Sequence, residues 1–415
     1  MAAGVPMRVL PEDPLLANCS PAIDAHGIPA ERAIPATQDE PVKPSLPVLR
    51  PHLPSADRVL PYLRMIDESR VYSNFGPLNA QLETRLAMHL GLSPGSVTTA
   101  SSGHAALLAA ILAGTGRAKA DRPLALIPAY TFVATAAAVE QAGYQPFLID
   151  VDPESWMLDP QSLLRLPELG RVGLVVPVSA YGRPVEMQPW QAFHEESGID
   201  VVIDGAAAFD TIAGHVPRHV GPLPLALSFH ATKAFGTGEG GAVLSTDAGL
   251  IARVARSLNF GFSGSRDSAS ASTNGKMSEY HAAVGLAELD GWDDKLRCMR
   301  DVADRYRRAL AGIGLADQFF ASPEIGANYA LLLCRDFSES ARFQDSMRRQ
   351  SVEFRYWYGL GLHQQSYYRQ LPRSSLDATD LLAPCLLGLP FAPDLGELEI
   401  ARVTEALADS LGGIP

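Results

Sequence analysis

The segment SFHATKAFGTGEGGAV, residues 228–243, leaves one apolar run, 225–229 (LALSF), and enters another, 241–245 (GAVLS), through a glycine-rich turn that carries one lysine, Lys233. Short continuous apolar runs are the mark of strands buried on both faces. Working back from Lys233, similar runs appear at 124–128 (LALIP), 146–151 (PFLIDV), 172–178 (VGLVVPV) and 200–204 (DVVID). Helical spacing occurs at 80–91, 103–113, 131–142 and 187–197. Strands alternating with helices predict an α/β fold with a mostly parallel central sheet covered by helices. Such sheets gather ligands at the carboxyl ends of their strands. That is where Lys233 falls.

Beyond the turn the pattern changes. A long helical region is expected over 278–311, opened by Ser278, then strands near 327–334 and 352–358, and helices near 338–350 and 396–411. The expected organisation is a Pro- and Ala-rich flexible extension at 1–45, a large domain at 46–290 and a smaller C-terminal α+β domain at 291–415. The 415 residues are 47% hydrophobic and 19% charged, enough to bury a large core. A net charge of -12 with no basic run argues against nucleic acid or an anionic membrane surface as partner. Positive charge for an anionic substrate must then be local. Cys19, Cys298, Cys334 and Cys385 are scattered without a CxxC pair, which argues against a zinc site or disulfide framework and for a reducing cytoplasm; no metal is expected. Pro6, Pro11, Glu12 and Asp13 interrupt any signal-peptide-like run, and no apolar stretch is long enough to span a bilayer.

Lysine is scarce, with only Lys43, Lys119, Lys233, Lys276 and Lys295, so each is informative. An imine needs an amine, which arginine cannot supply. By position alone Lys233 is equally compatible with a surface lysine. Asp204 closes an apolar strand, as either a helix cap or a site carboxylate. The turn SSGHAA, 101–106, opens a helix whose free N–H groups and dipole suit a phosphate, or is a plain N-cap. Phe132 is either core or a stacking face. Together, in order and each at a strand–helix junction, they supply what pyridoxal 5′-phosphate (PLP) needs: a phosphate cradle, a ring face, an anion for the pyridine nitrogen and an amine for the aldehyde.

The chain resembles the DegT/StrS family of PLP-dependent nucleotide-sugar aminotransferases, of fold type I, over roughly residues 47–411. The resemblance is carried by NFGP at 74–77, SSGHAAL at 101–107, PAYTFVATAAAVEQAGYQPFLIDVD at 128–152, PVSAYGRPVEM at 177–187, VVIDGAAA at 201–208, the Lys233 block, TNGKMSEYHAAVGLAEL at 273–289, LHQQSYYRQL at 362–371 and LGLPFAPDL at 387–395. It implies that Lys233 is the Schiff-base lysine and Asp204 the partner of the pyridine nitrogen. Phe132 is implied to stack on the ring. Gly103, His104 and Ser228 are implied to hold the phosphate, and Asn274 to reach the phosphate of a partner subunit, hence a homodimer. His363 and Tyr367 fall in a segment that lies near the sugar in similar enzymes. The implied reaction moves an amino group from an amino acid, glutamate above all, to a keto sugar, so the expected partners are small molecules.

The chain departs from the family pattern at four places. His104 stands where threonine is usual. Ile203 to Ala207 replace a Glu-Asp-Ala-Ala-Gln or -His run whose last side chain contacts the cofactor's 3-hydroxyl. Ser179 and Phe260 each stand where histidine is usual. These changes bear on ring tuning and substrate choice rather than on the four core roles. A PLP-dependent sugar dehydratase of the same family has histidine at the lysine position, so Lys233 counts against it. Other amino acid chemistry on this fold, and a PLP-binding regulatory or structural role, are further alternatives.

Overall fold

The computed structural model describes residues 44–411; residues 1–43 and 412–415, with nearly all of the expected N-terminal extension, lie outside the described residues. The central strands are β1 (Val97–Ala100), β2 (Leu124–Pro128), β3 (Gln145–Ile149), β4 (Val172–Val175), β5 (Asp200–Val201), β6 (Ile203–Asp204), β7 (Leu225–Ser228) and β8 (Gly241–Leu244). Two four-stranded ladders, β3-β2-β4-β5 and β6-β7-β8-β1, meet because β5 and β6 are one run of chain. The N–H groups of Val202 and Asp204 donate to Val175 and Pro177 at 3.0 and 2.9 Å, on the β4 side. Those of Ile203 and Gly205 donate to Pro224 and Ala226, both at 2.9 Å, on the β7 side. This alternation is what a strand paired on both edges requires. The order is therefore β3-β2-β4-β5/β6-β7-β8-β1. All pairs are parallel except those of β8, which runs against both β7 and β1.

Helix Gly103–Gly114 is buried all round its middle, from Ala106 to Leu112, because it lies between β7–β8 and the helices Val133–Gln141 and Ala248–Leu258. An apolar belt without a polar face is the sequence mark of such a helix. Strand β1 (VTTA) carries no apolar run, yet all four residues are buried. Its polar atoms are met locally: Glu83 accepts from the Thr99 N–H at 2.8 Å and from the Thr98 and Thr99 hydroxyls, and Asn79 Nδ2 donates to Thr99 Oγ1 at 2.7 Å.

The expected helix over 278–311 is two helices, Glu279–Asp290 and Trp292–Ala311, separated at Gly291. The first packs on helices Ala56–Ser69 and Pro77–His89, the second on the final helix, Glu397–Leu411. A second sheet, β11-β10-β9, is antiparallel and formed by β9 (Phe319–Ala321), β10 (Ala330–Leu333) and β11 (Leu386–Gly388). The strand expected near 352–358 does not form. Val352 and Arg355 make single bridges to Leu46 and Gly388, and Gly359 and Gly361, at φ +59° and +93°, turn the chain away. Those angles favour glycine. The chain from Pro44 to His52 runs back along the C-terminal region. Leu46 and Leu49 bridge Val352 and Phe391, and Arg50 makes a two-pronged ion pair with Glu399 at 2.7 and 3.0 Å.

Candidate active site

Asp204 stands at the carboxyl end of the central strand, 7% exposed. Thr135 Oγ1 donates to its Oδ2 at 2.7 Å and the Ala206 N–H to its Oδ1 at 3.1 Å. Neither donor is a cation. Burial raises the Asp204 pKa from its ordinary value; the two hydrogen bonds, Lys233 and His104 pull against that rise. A buried carboxylate of this kind favours a cationic partner. Lys233 follows β7, its N–H donating to the His230 carbonyl at 2.8 Å in the turn that leads to β8. Its amine donates to the Tyr329 hydroxyl at 3.4 Å, a long contact.

Ser102 caps helix Gly103–Gly114, accepting from the Ala105 N–H at 3.1 Å. The Gly103 and His104 N–H groups belong to the first turn, where helical N–H groups lack intrahelical partners. A Cβ at Gly103 would lie 2.5 Å from Ser228 Cβ and 2.8 Å from its Oγ, so only glycine lets the helix start approach β7 this closely. The result is a cradle of backbone N–H groups and one hydroxyl, suited to an anion. The His104 imidazole bonds Gln141 Oε1 at 3.1 Å, on the neighbouring helix. Phe132 caps helix Val133–Gln141 and is 56% exposed, while its neighbours Thr131 and Thr135 bond each other and Asp204. A large ring left open next to the hydroxyls that hold a buried carboxylate has the character of a stacking face. The donor set, the glycine-only approach and the open ring therefore fit PLP, with Lys233 as the amine.

Several groups at this place carry no sequence signal. Thr135 is one helical turn from Thr131 but is brought to Asp204 only by the sheet. Tyr130, Tyr181, Tyr329 and Tyr358 form one cluster. The Tyr130 and Tyr181 hydroxyls meet at 2.7 Å, and the Tyr358 hydroxyl accepts from the Tyr181 N–H at 3.0 Å. Burial raises the pKa of Tyr130, Tyr181 and Tyr358, so their hydroxyls keep their protons at neutral pH. The two bonded pairs are 51 and 177 residues apart along the chain, about which no local spacing informs.

The remaining expected residues are on other segments; that of Asn274 meets the turn of the cradle, the Gly275 carbonyl accepting from the Ser101 N–H at 2.7 Å. Asn274 is exposed, accepting from Lys276 Nζ at 2.7 Å and bridging Asn259. The Lys276 ammonium sits 4.6 Å from the Phe260 ring centre, and Phe260 holds a positive φ of 55°. His363 is buried and bonded to Asp380 at 2.7 Å, in a segment tied to the end of β2 by the Leu362 N–H and the Ala129 carbonyl at 2.8 Å. Tyr367 is 76% exposed, with its ring edge against Tyr368. Ser179, at one of the four departures, donates its hydroxyl to the Arg183 carbonyl.

A model of the DegT/DnrJ/EryC1/StrS aminotransferase family matches residues 55–408. The chain belongs to this family. Among relatives of the family, the dTDP-4-amino-4,6-dideoxy-D-glucose transaminase of Shigella dysenteriae is 33% identical over 270 residues, covering 64% of this chain and 70% of that protein. A PLP-dependent aminotransferase structure from Bacillus cereus superposes with a TM-score of 0.80 at 29% identity, covering 88% of this chain and 99% of that one. DesI, whose crystal structure was analysed in the presence of its TDP-sugar product, gives a TM-score of 0.77 at 29% identity, with 89% and 94% covered. The expected fold type I of PLP-dependent transferases is the fold of this DegT/DnrJ/EryC1/StrS aminotransferase. Among its described residues no helix is long and apolar enough to cross a membrane.

Proposed function

We propose that this aminotransferase uses PLP held on Lys233 to move an amino group from L-glutamate to a keto group of a nucleotide-linked sugar, as a homodimer with shared sites. The observation that carries the reading is the convergence at the strand ends of the Lys233 amine, the buried Asp204 carboxylate, the Gly103–Ser228 cradle and the open Phe132 ring. The sugar rests on the family and on the two sugar-acting relatives. The dimer rests on Asn274, exposed on a loop with Lys276 at hand for a partner's phosphate.

When bound, the cofactor supplies an aldehyde that joins amines and a ring that accepts electron density from the carbon being deprotonated. The residues of this chain then have separate tasks. Gly103, His104 and Ser228 anchor the phosphate and fix the register of the ring. Phe132 holds one ring face and keeps water from it. Asp204, oriented by Thr135 and the Ala206 N–H, keeps a proton on the pyridine nitrogen, because an opposite charge in a poorly solvated place favours the charged form. Lys233 Nζ carries the proton to and from the substrate carbon.

The test has two parts. Borohydride treatment of the cofactor-loaded protein should leave the cofactor on Lys233 by peptide mass spectrometry, and Lys233→Ala should lose both this label and turnover. Incubation with L-glutamate should yield 2-oxoglutarate and the pyridoxamine form. A label on Lys276 or Lys119 overturns the site. A labelled Lys233 with no amine exchange from any amino donor makes the regulatory or structural role the better reading.

A further inference from the structure

We propose that Tyr329 is a positioning residue for Lys233, its hydroxyl oxygen accepting from the lysine amine and its O–H serving the ring oxygen next to the joined carbon, a place where Ala207 has no hydrogen-bonding side chain. The inference rests on the PLP reading above and deepens it.

The turn that delivers Tyr329 is bolted to three separate parts of the site. The Ala327 N–H donates to Asp210 Oδ2 at 3.0 Å. The Gly326 N–H donates to the Tyr181 carbonyl at 2.8 Å. Asn328 Nδ2 donates at 3.0 Å to the carbonyl of Thr232, the residue before Lys233. Two glycines make this approach feasible. A Cβ at Gly326 would lie 2.8 Å from the Ala207 carbonyl oxygen, and one at Gly182 only 2.4 Å from it. Backbone cannot yield as a flexible side chain can, so both positions need glycine. The Tyr329 ring is held as tightly, edge-on to Tyr181 and Trp357 at 5.4 and 5.6 Å between centres. Ala207 is buried in the same cluster as Tyr130, Tyr181 and Tyr329. The space beside the residue three after Asp204 is therefore filled by tyrosines.

The hydroxyl geometry supplies the chemistry. Lys233 Nζ donates to the Tyr329 oxygen, which leaves the Tyr329 proton free to donate elsewhere. In PLP the ring oxygen sits on the carbon beside the aldehyde-bearing carbon, so a group at Lys233 Nζ is a neighbour of that oxygen. When the joining nitrogen loses its proton, the anionic ring oxygen loses its nearest donor and gains most from Tyr329. Donation to it favours the deprotonated form and lowers the pKa of the joined state. In the cofactor-free protein the same oxygen accepts from the Lys233 amine.

The experiment compares wild type with Tyr329→Phe, which keeps the ring in its slot. In cofactor-free protein, the rate of Lys233 acetylation by acetic anhydride is followed against pH by peptide mass spectrometry, since only the neutral amine reacts. In loaded protein, the pH titration of the cofactor's visible absorbance is followed. Tyr329→Phe should speed Lys233 acetylation about threefold at a given pH, the amine having lost its hydrogen-bond partner, and raise the pKa of the loaded protein's absorbance by about one unit, the scale of one lost charge-assisted hydrogen bond. Tyr130→Phe, which removes the hydroxyl facing Tyr181 and leaves Lys233 untouched, should move neither. An unchanged acetylation rate, an absorbance pKa that falls or stays, or an equal effect of Tyr130→Phe each overturns the proposal. Failure of the PLP reading looks different: wild-type protein then gives no absorbance titration at all.

Discussion

Asp204 is nearly sealed in protein, with donors on both oxygens, whereas Asn274 lies in the open with Lys276 donating to its oxygen. One is held by the central strand and the helix beside it; the other by the loop between helix Ala248–Leu258 and helix Glu279–Asp290. That loop keeps Phe260 at a positive φ and a lysine over its ring. A strained, non-glycine backbone beside exposed polar groups is a common feature of functional surfaces. The difference teaches how unequally one chain holds the two halves of the proposed site. The strand-end half has its orienting hydrogen bonds within the chain, while the loop half carries exposed polar groups, which the proposed homodimer would set against a partner.

The comparison is broken most severely at Asp204. Asp204→Asn keeps an oxygen for the Ala206 N–H and turns its amide to Thr135, which then donates to Thr131 instead. The fold should survive, by circular dichroism and melting temperature. The anion proposed to hold the ring proton is gone, and kcat should fall by at least about a hundredfold, equivalent to about 2.7 kcal/mol. Near-normal turnover would reduce Asp204 to a strand-end cap.

The loop half should respond more mildly and across the subunit boundary. Asn274→Ala should weaken PLP affinity about tenfold, the scale of one hydrogen bond to a charged phosphate. Equilibrium dialysis of the cofactor measures this. Mixed with inactive Lys233→Ala chains at limiting PLP, the Asn274→Ala protein should regain activity after subunit exchange, because one class of site carries neither defect. Active monomers in sedimentation would refute a shared site.

The strand-end half was legible in the sequence because each of its groups sits where a run of one period ends. The apolar stretch 200–204 stops at Asp204, 225–229 at the turn before Lys233, and the Ser-Ser-Gly sequence opens a helix. Those boundaries are local, and local periodicity reports them. Strand β1 escaped because Thr98 and Thr99 are buried by hydrogen bonding to Glu83 and Asn79 rather than by apolarity. The strand expected at 352–358 failed for the converse reason. Its Tyr356, Trp357 and Tyr358 have strand propensity, but their rings and hydroxyls are claimed by distant partners, Tyr358 by Tyr181 and Tyr356 by Gln344. Tyr329 was invisible because its role depends on a turn fixed to Asp210, Tyr181 and Thr232.

Asp210 sharpens the contrast at the smallest scale. It is as buried as Asp204, at 7% exposed, but accepts from the Ala327 backbone N–H on Oδ2 while its Oδ1 has no partner. Burial pushes its pKa up to about 6. The folded chain thus holds this proton more tightly than the unfolded chain, whose value is 3.8. The group's contribution to stability is therefore fully present below pH 3.8, falls as the pH rises toward about 6, and is lost above it. Asp210→Asn cannot ionise and still offers an oxygen to Ala327. It should melt below wild type near pH 4, because the unpaired amide it buries costs stability at every pH, and above wild type near pH 7, by about 2 °C for a net gain of about 1 kcal/mol. Melting curves at the two pH values decide it. An equal offset at both would mean that packing, not the charge, separates the two chains, and that Asp210 ionises in the native fold as it does in the unfolded chain.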